Sequence, residues 1–191
     1  MRKIIVLFIA VFFVFAVKAS AEQPKFEFDQ KGLEKAYKLV DQKQYKQALK
    51  ILEKLVPFDE DSINEAQRID KIVLSDVYFN MGFCFGKMGD DANMLEFYNK
   101  ALNVFPEHQA TIYDLARYYR SKGENDIAAN LLEKLININV THDWAFVMLG
   151  DIYDEKGDFT KAKDYYREAA RLGNDEAAAK LNAEEKKPEQ Q

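Results

Sequence analysis

The sequence is poor in cysteine and histidine, and both shortages exclude classes of protein. The single cysteine, Cys84, cannot form an intrachain disulfide, so packing must hold the fold together without cross-links. Its neighbours Phe83 and Phe85 indicate that it is a small buried apolar side chain. His108 and His142 are the only histidines, whereas a zinc site needs three or four ligands at about 2 Å. We therefore expect two exposed loop histidines and predict no metal and no cofactor.

Motifs that carry catalysis are also missing. There is no glycine-rich phosphate loop, no nucleophile elbow and no pair of carboxylates on a rigid strand. The acidic residues Asp151, Asp154, Glu155 and Asp158 lack the alternating order of a calcium loop. Their spacing indicates a solvated helix face followed by an N-terminal cap. The sequence therefore predicts no catalytic residues, and an enzyme with an unrecognised site is a remote alternative.

The one long apolar run is confined to the N-terminus. Arg2 and Lys3 precede 14 apolar residues, 4–17, and three small residues, 19–21, follow. This order is typical of a secretory signal peptide, since the run is short for a membrane span. We predict that residues 1–21 are a signal peptide cleaved after Ala21, which makes the mature chain periplasmic or secreted. An uncleaved membrane anchor is the alternative.

Positive charge is scarce beyond residue 21. Residues 1–21 hold three positive charges and no negative ones, so the rest of the chain has 24 lysines and arginines against 32 acids, a net charge of −8. Without a basic stripe, we expect no binding to nucleic acid. The negative charge also disfavours adhesion to an anionic bilayer. Membrane contact is expected only if the signal segment is retained.

Three short strings recur with a period of 34 residues. They are Met81-Gly82-x-x-Phe85, Leu115-Ala116-x-x-Tyr119 and Leu149-Gly150-x-x-Tyr153. At the same spacing, Gly89, Gly123 and Gly157 stand where a tight turn between helices needs a residue that tolerates positive φ. An acid follows each glycine and would complement the start of a second helix. A fixed period of this length predicts an all-α stack of helical hairpins.

These residues resemble the tetratricopeptide-repeat family. Its pattern maps onto a set in the last repeat: Phe146, Leu149, Gly150, Tyr153, Ala162 and Tyr166. Tyr78, Ile112 and Phe146 stand where the family has tryptophan, and Trp144 falls two residues early. The resemblance implies a right-handed α-solenoid of about four hairpins. It also implies a surface for a partner protein rather than a catalyst.

Beyond the signal peptide, the sequence predicts four repeats, one insertion and two flanking segments. Residues 22–28 form a linker, and the repeats are 29–62 (degenerate), 75–108, 109–142 and 143–176. Residues 63–74 are an inserted extension of the next helix, because a capping box starts a helical pattern that runs unbroken from Ile63 to Lys87. Its apolar stripe consists of Ile63, Ala66, Ile69, Ile72 and Val73, and it would pack on the first repeat or dock a partner. Residues 177–191 are predicted as a capping helix and a disordered tail.

The resemblance places the first helix of each hairpin on the concave side of the solenoid. The predicted partner-binding residues in this groove are Tyr37, Phe79, Phe83, Lys87, Tyr113, Arg117, Arg120, Asp151 and Asp154. Exposed aromatic side chains beside arginines are typical of binding hot spots. In the alternative, Arg117 and Arg120 pair with Asp151 and Asp154, and the aromatic side chains fill gaps between helices. The family's clamp for a C-terminal carboxylate is not supported, since only Asn80 matches it.

The sequence thus predicts an exported adaptor that binds a peptide or helix of a partner protein in its groove. The resemblance suggests a role as an assembly factor for an envelope complex. The alternative is a self-associating structural protein that forms a homodimer through the long helix.

Overall fold

The computed structural model describes residues 29–56 and 68–184. These residues form nine α-helices and no strand, so the prediction of an all-α protein is confirmed. The helices are α1 (Gln30–Asp41), α2 (Tyr45–Leu55), α3 (Arg68–Lys87), α4 (Asp91–Val104), α5 (Gln109–Ser121), α6 (Asn125–Ile138), α7 (Asp143–Glu155), α8 (Phe159–Arg171) and α9 (Asp175–Glu184). The predicted signal peptide, linker and tail lie outside the described residues. The exact repeat boundaries stay predictions.

The helices pack as consecutive pairs. The four hairpins are α1–α2, α3–α4, α5–α6 and α7–α8, and α9 packs on α8. Neighbouring hairpins touch through α2 and α3, α4 and α5, and α6 and α7. In this serial pattern each unit is stabilised mainly by its neighbours, as in a solenoid. The first helices α1, α3, α5 and α7 therefore carry the residues predicted to line the groove.

The turn inside each hairpin requires a left-handed backbone conformation. Gly89, Gly123 and Gly157 adopt φ values of 81°, 79° and 77°, as the sequence predicts. In the first hairpin, Lys43 occupies this turn with φ 60°. A positive φ is less stable for lysine than for glycine, because the Cβ of lysine crowds the backbone in this conformation.

The acids that follow these glycines cap the second helices in two cases out of three. The side chain of Asp90 accepts a hydrogen bond from the backbone N–H of Asn93 at 3.1 Å, and Asp158 accepts one from Lys161 at 3.1 Å. Glu124 makes no such bond. Its longer side chain complements the helix start only through its charge.

A close approach of helices explains the glycine in two of the recurring strings. A Cβ on Gly82 would lie 2.5 Å from the ring of Tyr98, and a Cβ on Gly150 would meet the ring of Tyr166. In the repeat between them, Ala116 stands at the position of the glycine and Leu132 at that of the tyrosine. The small residue and the large one thus vary together, because they share one space between the paired helices.

The core runs along the whole stack. Tyr78, Ile112 and Phe146, which replace the family tryptophan, are all buried. Cys84 is fully buried, and burial raises the pKa of its thiol to about 11. It therefore stays a neutral thiol near pH 7, and its interpretation as a small apolar side chain is confirmed.

The helix with the predicted extension is described from Arg68 to Lys87, about 30 Å of helix. The predicted start at Ile63 lies outside the described residues. The described part packs on α2 and α4, where Leu74 and Val77 are buried. No helix in the described ranges has the length and apolarity needed to cross a bilayer.

Candidate functional site

The predicted groove residues differ widely in how free their side chains are. Lys87, Arg117 and Asp154 are exposed, whereas the other six are half-buried: Tyr37, Phe79, Phe83, Tyr113, Arg120 and Asp151. On each first helix, residues three or four apart share a face. Helical geometry therefore aligns the residues on each helix, and the contacts to neighbouring hairpins decide which of them remain available.

The aromatic residues of α3 pack against three other helices or their caps. Phe79 stacks on Tyr98 of α4 with ring centroids 5.7 Å apart, and it lies 5.4 Å from His108. Phe83 meets the edge of Tyr45 of α2 at 6.4 Å, and the ammonium of Lys87 lies 4.9 Å from the Phe83 ring. Phe79 is therefore mainly a packing residue, while Phe83 keeps one face toward a cation and solvent.

Tyr37 of α1 lies near α3. Burial raises the pKa of its hydroxyl to about 12, and the negative charge of Asp76 adds to the effect. The phenol is therefore neutral near pH 7, and it offers a half-buried aromatic surface at the N-terminal end of the groove.

Asp151 forms a hub at the other end of the groove. Its carboxylate accepts hydrogen bonds from Arg120 at 3.0 Å, from the Tyr166 hydroxyl at 2.8 Å and from Lys180 of α9. Burial raises the pKa of the Asp151 carboxyl, but the bonds from Lys180, Tyr166 and Arg120 outweigh it and hold the pKa below its ordinary value. Arg120 also donates to Glu155 at 3.0 Å. The chain itself thus supplies partners for both Arg120 and Asp151.

This hub corrects the interpretation of the acidic residues of α7 as a solvated face. Asp151 is half-buried and fully engaged, and Glu155 accepts from Arg120 and from Asn125. Asp154 and Glu155 match the expectation of exposed acids, although Glu155 is hydrogen-bonded. The alternative predicted that Arg117 and Arg120 pair with Asp151 and Asp154 of the next hairpin. This is correct for Arg120, whose acceptors are Asp151 and Glu155.

Arg117 behaves differently, although it lies one turn from Arg120. Its side chain is 61% exposed, and it bonds Asp114 on the same helix at the long distance of 3.4 Å. Asp114 also accepts the Tyr98 hydroxyl at 3.1 Å. Most of the five N–H donors of the Arg117 guanidinium therefore have no hydrogen bond to the described residues.

The sequence did not predict Trp144, the only tryptophan, as a groove residue. It is 48% exposed on α7, seven residues before Asp151 and hence on the same helical face. Nearby, Tyr113 packs on His142 at 4.9 Å, and the loop residue Val140 is exposed. Counting back from Asp151 in steps of a helical turn would have identified Trp144.

The prediction of two exposed loop histidines was wrong. His108 is only 6% exposed, and its Nδ1 accepts the backbone N–H of Thr111 at the start of α5. Its Nε2 therefore carries the proton and donates to Asp76 at 2.9 Å. His142 is half-buried and caps α7 in the same way, through the N–H of Ala145. Both histidines are N-caps, a role that the ring nitrogen can fill like a carboxylate oxygen.

The described residues contain no group of three or more histidine, cysteine or acidic side chains placed to hold a metal ion. The first helices of the last three hairpins carry exposed or half-buried aromatic and cationic side chains. They are Phe83 and Lys87 on α3, Tyr113 and Arg117 on α5, and Trp144 on α7. These chemical groups can bind apolar and acidic side chains of another chain.

Comparison with known proteins identifies the repeats. The tetratricopeptide-repeat pattern matches residues 76–108 and 145–180. A tetratricopeptide repeat protein from Parabacteroides merdae superposes with a TM-score of 0.61 at 19% identity, over 75% of this chain and 53% of that one. MamA from Desulfovibrio magneticus gives a TM-score of 0.57 at 18% identity, over 80% of this chain and 78% of that one.

The N-terminal domain of stress-induced protein-1 from C. elegans gives a TM-score of 0.56 at 16% identity, over 63% of this chain and all of that domain. These likenesses establish the solenoid fold. No curated protein sequence matches the chain.

Proposed function

We propose that the chain is an exported adaptor that holds a segment of a partner protein in its concave groove. The chain contains tetratricopeptide repeats, and such repeats form protein-interaction scaffolds. The repeats typically serve binding rather than catalysis. We place this role in the envelope or outside the cell, and we propose that the first helices of the hairpins form the binding surface. We also propose that the chain acts as an assembly factor for an envelope complex.

The observation that carries the proposal is the exposure of Arg117 on α5: 61% of its side chain is exposed, and its bond to Asp114 is long, at 3.4 Å. Tyr113 lies one turn before it and is half-buried. An arginine beside an aromatic ring is a frequent hot-spot combination. Since Arg117 has one long bond within its own helix, its replacement should change binding more than folding.

Support for export comes from the sequence of residues 1–21, with its basic start, apolar run and small residues at the cleavage position. If this segment is a signal peptide, the protein recovered from the envelope fraction begins at Glu22. An intact N-terminus would instead favour the membrane anchor.

The groove is tested by cross-linking the tagged protein in its native envelope fraction and identifying what is captured. The test variant combines Tyr113→Ala with Arg117→Glu. Arg167→Glu is a matched control, because Arg167 is 57% exposed and bonds an aspartate three residues earlier, but it lies on the second helix α8. We expect one discrete partner that survives the control and is lost from the test variant.

Circular dichroism of both variants verifies that they keep the helical fold. A partner retained by the test variant would move the contact to another face and refute the groove. Capture of nothing but further copies of this chain would favour the self-associating structural protein.

A further inference from the structure

The position of Arg117 recurs in the next repeat as the position of Asp151, 34 residues later. In that repeat the residue is neutralised from the preceding hairpin, because Arg120 donates to Asp151 at 3.0 Å. The position of Arg120, moved back by the same 34 residues, is Gly86. Helices α5 and α7 are joined by the ion pair of Arg120 and Asp151, whereas the equivalent positions on α3 and α5 hold Gly86 and Arg117.

Gly86 cannot supply the charged side chain that Arg120 supplies one repeat later. The Met94 side chain of α4 fills the place where a Cβ of Gly86 would lie, with its sulfur 2.7 Å from that position. The guanidinium of Arg117 has one bond, to Asp114 of its own helix, at 3.4 Å. The ion pair of Arg120 and Asp151 joins the third and fourth hairpins. At the equivalent positions of the second and third hairpins only Arg117 is charged.

The residues near Arg117 in the repeat pattern indicate which chemical group of a partner could bind it. Lys87, the residue after Gly86, is exposed, with its ammonium 4.9 Å from the ring of Phe83. Phe83 itself occupies the Arg117 position one repeat earlier. Lys87 and Arg117 are both exposed, and Phe83 and Arg117 occupy the same repeat position on the successive first helices α3 and α5. Charge complementarity selects a carboxylate, and the ring selects an apolar neighbour.

We propose that the groove between the second and third hairpins binds a partner segment through an acidic side chain held by Arg117, with an apolar side chain of that segment on Phe83. This inference rests on the proposed adaptor function and specifies the chemistry of its ligand. The carboxylate takes the place that Asp151 takes beside Arg120. It belongs to a side chain within the partner segment, and it uses different positions from the clamp for a terminal carboxylate.

The same comparison shows why the groove does not continue past α7. Asp151 is engaged from one side by Arg120 and from the other by Lys180 of the capping helix. The ligand path is therefore bounded at its C-terminal end by an internal ion-pair network, with Trp144 at its edge. The open part lies on α3 and α5.

Phage-displayed random dodecapeptides selected on the purified protein test the proposal. We expect a consensus with aspartate or glutamate next to an aromatic or aliphatic residue. Arg117→Gln should weaken the binding of these peptides about 10- to 100-fold, since it removes a charge-assisted bidentate contact but keeps a polar side chain. Selection on Arg117→Glu should exchange the acid of the consensus for lysine or arginine.

Two controls separate the possible failures. Arg167→Gln should leave the affinity of the peptides unchanged, and far-ultraviolet circular dichroism should be the same for all variants. If Tyr113→Ala abolishes binding but Arg117→Gln does not, or if the consensus lacks an acid, the carboxylate site is refuted while the groove stands. If no selected peptide depends on either residue, both the site and the groove are refuted.

Discussion

Replacing Gly150 with alanine should destabilise the last hairpin, although alanine is the better helix former. The added Cβ would lie 2.6 Å from Cδ1 and 2.9 Å from Cζ of Tyr166, and closer still to Cε1. Real side chains do not approach so closely, so the ring or the helix must move. The ring of Tyr166 is buried, and its hydroxyl is bonded to Asp151 at 2.8 Å. It cannot swing aside without breaking that bond.

Two opposing effects set the size of the change. Alanine gains about 1 kcal/mol over glycine in a helix interior. Forcing a methyl group into a filled space costs about 1–3 kcal/mol, and losing the Tyr166 hydroxyl bond adds about 1 kcal/mol. The loss therefore outweighs the gain, and we expect a net destabilisation of about 2 kcal/mol from these estimates. Urea unfolding followed by far-ultraviolet circular dichroism measures it as a lower midpoint with an unchanged slope.

A second substitution tests the cause. Tyr166→Leu together with Gly150→Ala reproduces the pairing of Ala116 and Leu132 one repeat earlier, so Gly150→Ala should be neutral or stabilising in the Tyr166→Leu background. The double-mutant cycle should give a coupling energy of about 1–3 kcal/mol. Equal costs of Gly150→Ala in the two backgrounds would refute the steric explanation, since the alanine would then act without touching the ring.

Two further predictions concern the first turn and the acidic hub. Lys43→Gly should stabilise the chain by about 1 kcal/mol, because it relieves a positive φ of 60° at a position where the other hairpins have glycine; an unfolding midpoint that falls would contradict this, and Gly123→Ala should move it the opposite way. The hub gives a pH dependence, because the Asp151 pKa is held below its ordinary value of 3.8 by Lys180, Tyr166 and Arg120, against the effect of burial. Its stabilisation should be complete above about pH 5 and lost as the pH falls through the folded-state pKa, so wild type and Asp151→Asn should differ in unfolding free energy near pH 7 and converge in acid. A constant difference down to the acid limit would show that the ionised carboxylate is not the stabilising form.

The fold was predictable because the repeats obey one local pattern. A turn that needs positive φ selects Gly89, Gly123 and Gly157, and a filled interhelical space selects the glycine and tyrosine pairs. Each requirement recurs at the same position in every hairpin, so the spacing in the sequence reveals it. The histidine caps escaped prediction because a loop position two residues after Pro106 reads as exposed, whereas His108 turns inward to bond Asp76 and the helix start.

The candidate site was less predictable because it depends on how the repeats differ. Arg117 and Arg120 are three residues apart on α5 and are alike in sequence, but Arg120 bonds Asp151 of the next hairpin, whereas Arg117 bonds Asp114 of its own helix. What separates them is the residue each meets on a neighbouring hairpin, which is close in space and about one repeat away in sequence. A pattern read within one helix cannot supply that information.

The position shared by Tyr37, Phe83, Arg117 and Asp151 changes along the solenoid from aromatic to cationic to acidic. Residues needed for stacking would be expected to keep their type from one repeat to the next, as the turn glycines do. A position that changes its chemistry at each step, while the backbone around it repeats, is instead available for contacts outside the fold. The Asp151 carboxylate is bonded within the chain, by Arg120 and by Lys180 of the capping helix. Arg117 has no bond to a described residue of another hairpin, and this is the physical reason to place the acidic group of a partner there rather than at the end of the groove.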